Sequence, residues 1–188
     1  MIANWARMLF LGDSLTFGSR DPFGLSWPYY LCHLADREEY TIIPEIDAVP
    51  GRTSPQLLGP AIQKIITTQA LEVFILIGTN DAKDEINLPA SLYISNIKYL
   101  IGLCKAFGRR EYILTIPVPN GFGSPSYSTE VIARVKSYNS LLRVLEHKRL
   151  IECSYITSTT EGIHLAVESS MKIAERVWKA IKKERNFI

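Results

Sequence analysis

The chain has 188 residues, the size of one ordinary domain, and a chain of this length buries about two thirds of its unfolded surface. A composition of 47% hydrophobic and 21% charged residues excludes intrinsic disorder and is typical of a soluble globular protein. A net charge of only +2 excludes a general field that would attract nucleic acid or an acidic membrane surface. We therefore expect a single domain over residues 1–188 that has no nucleic-acid partner.

Signals for targeting, membrane insertion and metal binding are missing from the sequence. The apolar segment near the N-terminus is too short for a signal-peptide core, and no window approaches the roughly 18 apolar residues of a membrane span. The cysteines are widely spaced, without a CxxC pair or a histidine at ligand spacing: Cys32, Cys104 and Cys153. We expect a cytoplasmic protein, unless a leader was removed, without an integral membrane segment, a disulfide framework or a metal site. The oligomeric state stays open.

Apolar segments alternate with amphipathic segments along the whole chain. The predicted strands cover residues 7–11, 40–49, 71–77, 111–118 and 149–155. The predicted helices cover residues 26–36, 57–66, 89–107, 128–147 and the segment from 164 onward, while residues 12–24 are predicted to be a loop. Pro44 predicts an edge position or a bulge for the second strand. Five strands that alternate with helices predict an α/β fold, a three-layer α/β/α sandwich around a parallel sheet.

Unusual polar residues fall in the loops after the first, second, third and fifth predicted strands. In a parallel α/β sheet, ligands bind outside the carboxyl ends of the strands, so these loops are expected to form one site. Each loop alone has an ordinary interpretation. Ser14 is a turn residue, Gly51 supplies a positive φ angle, Asn80 caps a turn, and His164 begins a helix.

Together the four loops supply the parts that acyl transfer requires. Ser14 is a candidate nucleophile, and His164 is a suitable base because imidazole titrates near neutral pH. Glu161, three residues before His164, is the candidate that orients the imidazole and stabilises its charged form. The candidate oxyanion donors are the backbone N–H groups of Ser14 and Gly51 and the side-chain amide of Asn80.

These four blocks resemble the SGNH hydrolase superfamily and its GDSL-type esterase/lipase family, whose named residues are a Ser, a Gly, an Asn and a His. The matching segments are Gly12-Asp13-Ser14-Leu15, Gly51, Gly78-Thr79-Asn80-Asp81 and His164-Leu165. The resemblance implies the flavodoxin-like strand order 2-1-3-4-5, a cofactor-independent hydrolase, and a bracing hydrogen bond from Asp13. The family usually has Asp three residues before the histidine, where this chain has Glu161. Glu161 either completes a Ser-His-Glu triad or faces solvent, with a backbone carbonyl holding His164 instead.

The expected substrate is a small-molecule ester with a short acyl group, because no insertion is long enough to form a lid over the cleft. Phe17, Phe122 and Tyr127 are candidates to border the acyl or alcohol pocket, although aromatic residues are more often part of the core. Acetylated carbohydrates, lysophospholipids and thioesters all remain possible. Two other functions stay open: a catalytically weak ligand-binding protein on the same fold, and an acyltransferase that uses the same covalent intermediate.

Overall fold

A computed structural model, which describes residues 4–120, 128–156 and 162–185, arranges the chain around one parallel sheet. Its five strands are Trp5–Gly12 (β1), Thr41–Ala48 (β2), Glu72–Leu76 (β3), Arg110–Leu114 (β4) and Leu150–Ile151 (β5). The strand order is β2-β1-β3-β4-β5 and every neighbouring pair is parallel. The predicted α/β class and the predicted order are confirmed.

Helices cover both faces of this sheet. They are Ser14–Phe17 (α1), Trp27–Asp36 (α2), Ser54–Thr67 (α3), Ala90–Ala106 (α4), Thr129–Val144 (α5) and Val167–Arg185 (α6). α2 and α6 pack on one face, and α3, α4 and α5 pack on the other. Within the described residues, no helix combines the length and the apolar character that crossing a membrane requires.

β1 shows why the central strands read as continuous apolar runs. Met8 and Phe10 belong to the core beneath α2 and α6, whereas Leu9 and Leu11 belong to the opposite core. Both faces of the strand are therefore buried, as is usual in a covered parallel sheet. Phe10 stacks on Phe74 of β3 with ring centroids 5.2 Å apart, which links the two strands through their side chains.

The edge strand β2 agrees with the expectation from Pro44, because this proline pairs with Met8 and the strand has only one neighbour. β4 and β5 are shorter than predicted. Beyond Leu114, the N–H and C=O of Ile116 bond to the side-chain amide of Asn139 at 2.7 and 2.8 Å, instead of continuing a strand ladder. This amide of α5 substitutes for a strand neighbour, and a periodicity argument has no means of detecting such a partner.

Helix ends also differ from the predicted bounds. A four-residue helix, α1, forms inside residues 12–24, which were predicted to be a loop. α6 begins at Val167, so His164 precedes the helix rather than starting it. α5 ends at Val144, before the predicted end at residue 147, and Glu146 just beyond it has a φ angle of 47° that a helix cannot contain.

Candidate active site

Three of the four predicted site loops leave the sheet at the same level. Gly12, the last residue of β1, pairs with Ala48 of β2 on one side and with Leu76 of β3 on the other. The loops that follow these strands therefore begin side by side at the carboxyl edge of the sheet. The backbone N–H of Val49 donates to the carbonyl of Gly12 at 3.3 Å, which holds the first two loops together.

Ser14 is the first residue of α1, directly after the end of β1. Asp13 caps this helix, and its carboxylate accepts a hydrogen bond from the N–H of Leu15 at 2.9 Å. The helix ends at Gly18, whose φ of 86° is left-handed. Ser14 is only 6% exposed, and its N–H has no intrahelical acceptor because it lies in the first turn. An Asp before the serine and a Gly just after the helix were signals of α1 that periodicity did not use.

Gly12 lets α1 approach the sheet closely. A Cβ atom at this position would lie 2.4 Å from Oγ1 of Thr16 and 2.6 Å from the carbonyl oxygen of Leu76. Thr16 in turn accepts a hydrogen bond of 3.3 Å from the indole N–H of Trp27, a fully buried core residue of α2. The short helix that carries Ser14 is therefore fixed against both β3 and the core.

The carboxyl group of Asp13 is fully buried beneath this site. Burial raises its pKa to about 7, an effect to which the nearby charge of Asp81 adds and which the Leu15 hydrogen bond opposes. The Asp13 Oδ2 atom lies 3.5 Å from Nδ2 of Asn80. The bracing role expected for Asp13 agrees with these contacts, and they extend it from its own loop to the loop after β3.

Gly51 lies in a tight turn from Val49 to Arg52. The N–H of Arg52 donates to the carbonyl of Val49 at 3.1 Å, and Gly51 has a φ of 81°, so Pro50 and Gly51 occupy the central positions of a type II turn. No atom of the described residues lies within 4 Å of a Cβ built on Gly51, so the glycine is required for its backbone angle rather than for space. Its N–H makes no hydrogen bond within the part of the chain that is described.

Ionic and amide contacts fix the position of this turn. The guanidinium of Arg52 donates to the carboxylate of Asp47 at 2.8 Å and to the Asp47 carbonyl at 3.1 Å, which fastens the turn to the end of β2. The carbonyl of Arg52 accepts a hydrogen bond of 3.1 Å from Nδ2 of Asn80. One N–H of the Asn80 amide thus donates to the carbonyl of Arg52, and the other has only the more distant Asp13 Oδ2 atom, at 3.5 Å, as its acceptor.

A second connection between the same two segments was not predicted from the sequence. The Asp81 carboxylate accepts the N–H of Ser54 at 2.9 and 3.0 Å and the Ser54 hydroxyl at 2.5 Å. Asn96 of α4 donates to the same hydroxyl at 3.0 Å. We call this contact the Ser54–Asp81 bridge. Ser54 and Asp81 are both fully buried, so the bridge fixes the start of α3 to the segment that carries Asn80.

The fourth predicted loop carries His164, which is half-buried in a bend ahead of α6. Its neighbour Leu165 is buried in the core beneath α2 and α6, and the carbonyl of Gly162 accepts the N–H of Asn120 at 3.1 Å. These contacts hold the loop beside the segment that follows β4. Glu161, Phe122 and Tyr127 lie outside the described residues. Phe17, the last residue of α1, is 55% exposed and follows Ser14 by less than one helical turn.

Comparison with known proteins identifies the chain. The sequence profile of the GDSL-like lipase/acylhydrolase family matches residues 10–156, most of the chain. The protein belongs to this family. No curated protein is a significant sequence match.

Solved structures agree with this membership at the level of the fold. A lipase/acylhydrolase from Enterococcus faecalis superposes with a TM-score of 0.78 at 16% identity, over 95% of this chain and 96% of its own. A carbohydrate acetylesterase family member from Sinorhizobium meliloti superposes with a TM-score of 0.77 at 18% identity, over 97% of this chain and 100% of its own. The esterase EstA from Pseudoalteromonas superposes with a TM-score of 0.71 at 20% identity, over 96% of this chain and 99% of its own. At these identities the likeness establishes a shared fold.

Proposed function

We propose that this GDSL-family protein is a serine esterase that hydrolyses small carboxylic esters through an acyl-enzyme intermediate. Ser14 is the proposed nucleophile, and the proposed oxyanion donors are the N–H groups of Ser14 and Gly51 and the amide of Asn80. The main support is the contact of 3.1 Å between Nδ2 of Asn80 and the carbonyl of Arg52, because it holds the third loop against the turn that contains Gly51. This contact supports a proposal in which Gly51 and Asn80 act together beside Ser14.

In the first half of the proposed reaction, the Ser14 hydroxyl attacks the ester carbonyl carbon while its proton passes to His164. The carbonyl oxygen gains a negative charge, which the N–H groups of Ser14 and Gly51 stabilise, together with the Asn80 N–H that turns to it from its 3.5 Å contact with Asp13. The tetrahedral intermediate then collapses, the bond to the alcohol breaks, and the proton on His164 passes to the departing alkoxide. An acyl-Ser14 ester and a free alcohol result.

In the second half, His164 removes a proton from water, the resulting hydroxide attacks the acyl-Ser14 carbonyl, and the acid leaves as the proton returns to Ser14. Glu161 is proposed to accept a hydrogen bond from the other nitrogen of His164. Replacing Glu161 with Gln should then reduce kcat by a large factor and leave the free energy of unfolding nearly unchanged. If Glu161 faces solvent instead, the same change should leave kcat near the parent value.

A short acyl group is the proposed substrate preference. Phe17 is exposed near Ser14, which suits the rim of a cleft open to solvent, and Phe122 and Tyr127 stay proposed members of the same rim. The similar Sinorhizobium protein is described as a carbohydrate acetylesterase family member, whose name fits a small acyl group. A chain-length series of p-nitrophenyl esters should decline steadily from acetate, and a steep preference for about ten carbons or more would contradict an open cleft.

The decisive assay is hydrolysis of p-nitrophenyl acetate by the parent, Ser14→Ala and a matched control, Ser19→Ala. Ser19 lies in the same loop and contacts the Ser14 carbonyl through its backbone N–H, which the control keeps. Ser14→Ala should reduce kcat by at least about 10³-fold, and Ser19→Ala should retain most of it. Equal activity of parent and Ser14→Ala would refute the proposal. Transfer of the acetyl group to added glycerol in preference to water would instead identify an acyltransferase.

A further inference from the structure

A groove of about 520 Å³ lies between α6 and the segment after β5, and no step of the proposed reaction uses its residues. It is lined by Tyr155, Ile156, Lys172, Glu175, Arg176 and Lys179. The four charged residues recur at helical spacing on one face of α6, while the opposite face of that helix is buried in the core. The volume is within the range of small-molecule sites in proteins.

The cations of the groove lack the close ion pairs that other cations of α6 make with described carboxylates. Lys172 and Arg176 are four residues apart, a like-charge spacing that destabilises an isolated helix. Among the described residues, no carboxylate lies within ion-pair distance of Lys172, Arg176 or Lys179. Farther along α6, by contrast, Lys182 pairs with Glu38 at 2.9 Å and Arg185 pairs with Glu72 at 2.6 Å. With Glu175 included, the groove keeps two net positive charges.

Arg176 is held in place before any ligand arrives. Its guanidinium carbon lies 4.2 Å from the centre of the Tyr155 ring, and Nη1 donates to the carbonyl of Glu152 at 3.2 Å. The Glu152 carboxylate does not neutralise it, because that group accepts from Arg143 at 2.8 Å and from Thr115 at 2.7 Å. A guanidinium binds phosphate through paired N–H donors, and the Tyr155 ring and the Glu152 carbonyl leave some of the Arg176 donors for that purpose.

We propose that this groove is a binding site for a phosphate monoester with an apolar or aromatic substituent. The phosphate would be bound by Arg176, Lys172 and Lys179. Glu175 reduces their three positive charges to a net two, which matches the charge of a phosphate dianion. The substituent would lie against Ile156 and the Tyr155 ring, which is 53% exposed. The site does not depend on the esterase proposal, because none of its residues takes part in acyl transfer.

The test uses phenyl phosphate as the probe, followed by the backbone amide signals of isotope-labelled full-length protein. The variant is Lys172→Gln/Lys179→Gln, which leaves the structural contacts of Arg176 intact. The matched control, Lys98→Gln/Lys105→Gln, removes two exposed lysines at the same spacing from α4, on the other face of the sheet. Phenyl phosphate should give saturable shifts at Tyr155 and Ile156, and the variant should weaken binding at least about tenfold. The control should bind as the parent does.

Three other results would overturn the proposal. Equal weakening in the variant and in the control would mean that the phosphate responds only to overall charge. Shifts centred on Asp13 to Phe17 rather than on Tyr155 would place the ligand at the proposed active site. Binding of phenyl sulfate, a monoanion, as tight as that of phenyl phosphate would remove the charge match on which the ligand class rests. Phenol, which lacks the phosphate group, should bind neither the parent nor either of the two variants.

Discussion

Replacing Gly51 with Ala tests whether the turn after β2 provides an oxyanion donor. Gly51 has a φ of 81°, where a residue with a Cβ is strained by roughly 1–2 kcal/mol. No atom of the described residues crowds the new methyl group, so the strain lies in the backbone alone. It is relieved if the peptide between Pro50 and Gly51 flips, which converts the type II turn to type I. That flip would reverse the direction of the N–H of residue 51 and so remove it from its proposed role as a donor.

The expected result is a small loss of stability together with a large loss of rate. Removing one oxyanion donor reduces kcat by about 10²- to 10³-fold in other hydrolases, and we expect a decrease of that size. The melting temperature should fall by only about 2–8 °C, given about 2–4 °C for each kcal/mol in a chain of this length. Thermal unfolding and the hydrolysis of p-nitrophenyl acetate measure the two quantities on the same samples.

Gly108→Ala is the matched control for this experiment. Gly108 has a φ of 65°, a Cβ atom added to it would meet no described atom within 4 Å, and it follows α4 at the opposite edge of the sheet. The two substitutions should therefore lower the melting temperature by similar amounts, while only Gly51→Ala lowers kcat. If Gly51→Ala kept the parent kcat after the same loss of stability, Gly51 would be a turn residue and not a donor.

Three further substitutions separate positioning, ionisation and stability. Asp81→Asn removes an acceptor from the Ser54–Asp81 bridge, so kcat/KM should fall by up to about 10²-fold with a loss of roughly 1–3 kcal/mol in unfolding free energy; loss of stability without loss of rate would exclude a positioning role. Burial raises the pKa of Asp13 from the ordinary value of 3.8 to about 7. Between these two pH values Asp13 is protonated in the folded protein but ionised in the unfolded chain, so the folded state loses stability as the pH rises. Above about pH 7 the carboxyl group is ionised in both states, and the cost of burying its charge is complete. The stability of Asp13→Asn relative to the parent should therefore rise between about pH 4 and pH 7 and level off above that range, and a constant difference would refute the shift. Glu72→Gln, at the first residue of β3, leaves Arg110 and Arg185 without their carboxylate and should lower the unfolding free energy by roughly 1–3 kcal/mol while kcat stays unchanged.

The fold was largely predictable because its signals are repeated along the chain. The apolar run of β3 and the helical spacing in α3 each report burial directly, and their alternation limits the architecture to a covered parallel sheet. The strand order came from the family resemblance and not from periodicity. The register that aligns Gly12, Ala48 and Leu76 then explains why residues far apart in sequence meet at one edge.

Three of the features that sequence reasoning missed depend on contacts between distant segments. Asn139 replaces a strand partner for Ile116, and nothing in a local window of the sequence identifies an amide on α5 as that partner. Asp81 directly follows Asn80 in the chain, and its carboxylate is bound by Ser54, the first residue of α3 and 27 residues away in sequence. The groove beside α6 forms only when the fold brings Tyr155 against Arg176, so the charges of α6 alone do not indicate a binding site.

Covalent labelling by a fluorophosphonate tests the central claim, that Ser14 is an activated nucleophile, more directly than any other measurement. The parent protein should take up one adduct and lose its esterase activity in proportion. Trypsin releases residues 8–20 as one peptide that contains both Ser14 and Ser19, so fragment ions must assign the adduct to Ser14. His164→Ala should slow the labelling sharply, because the hydroxyl then lacks its base. An adduct on Ser19, or full esterase activity in protein that takes up no label, would contradict the account.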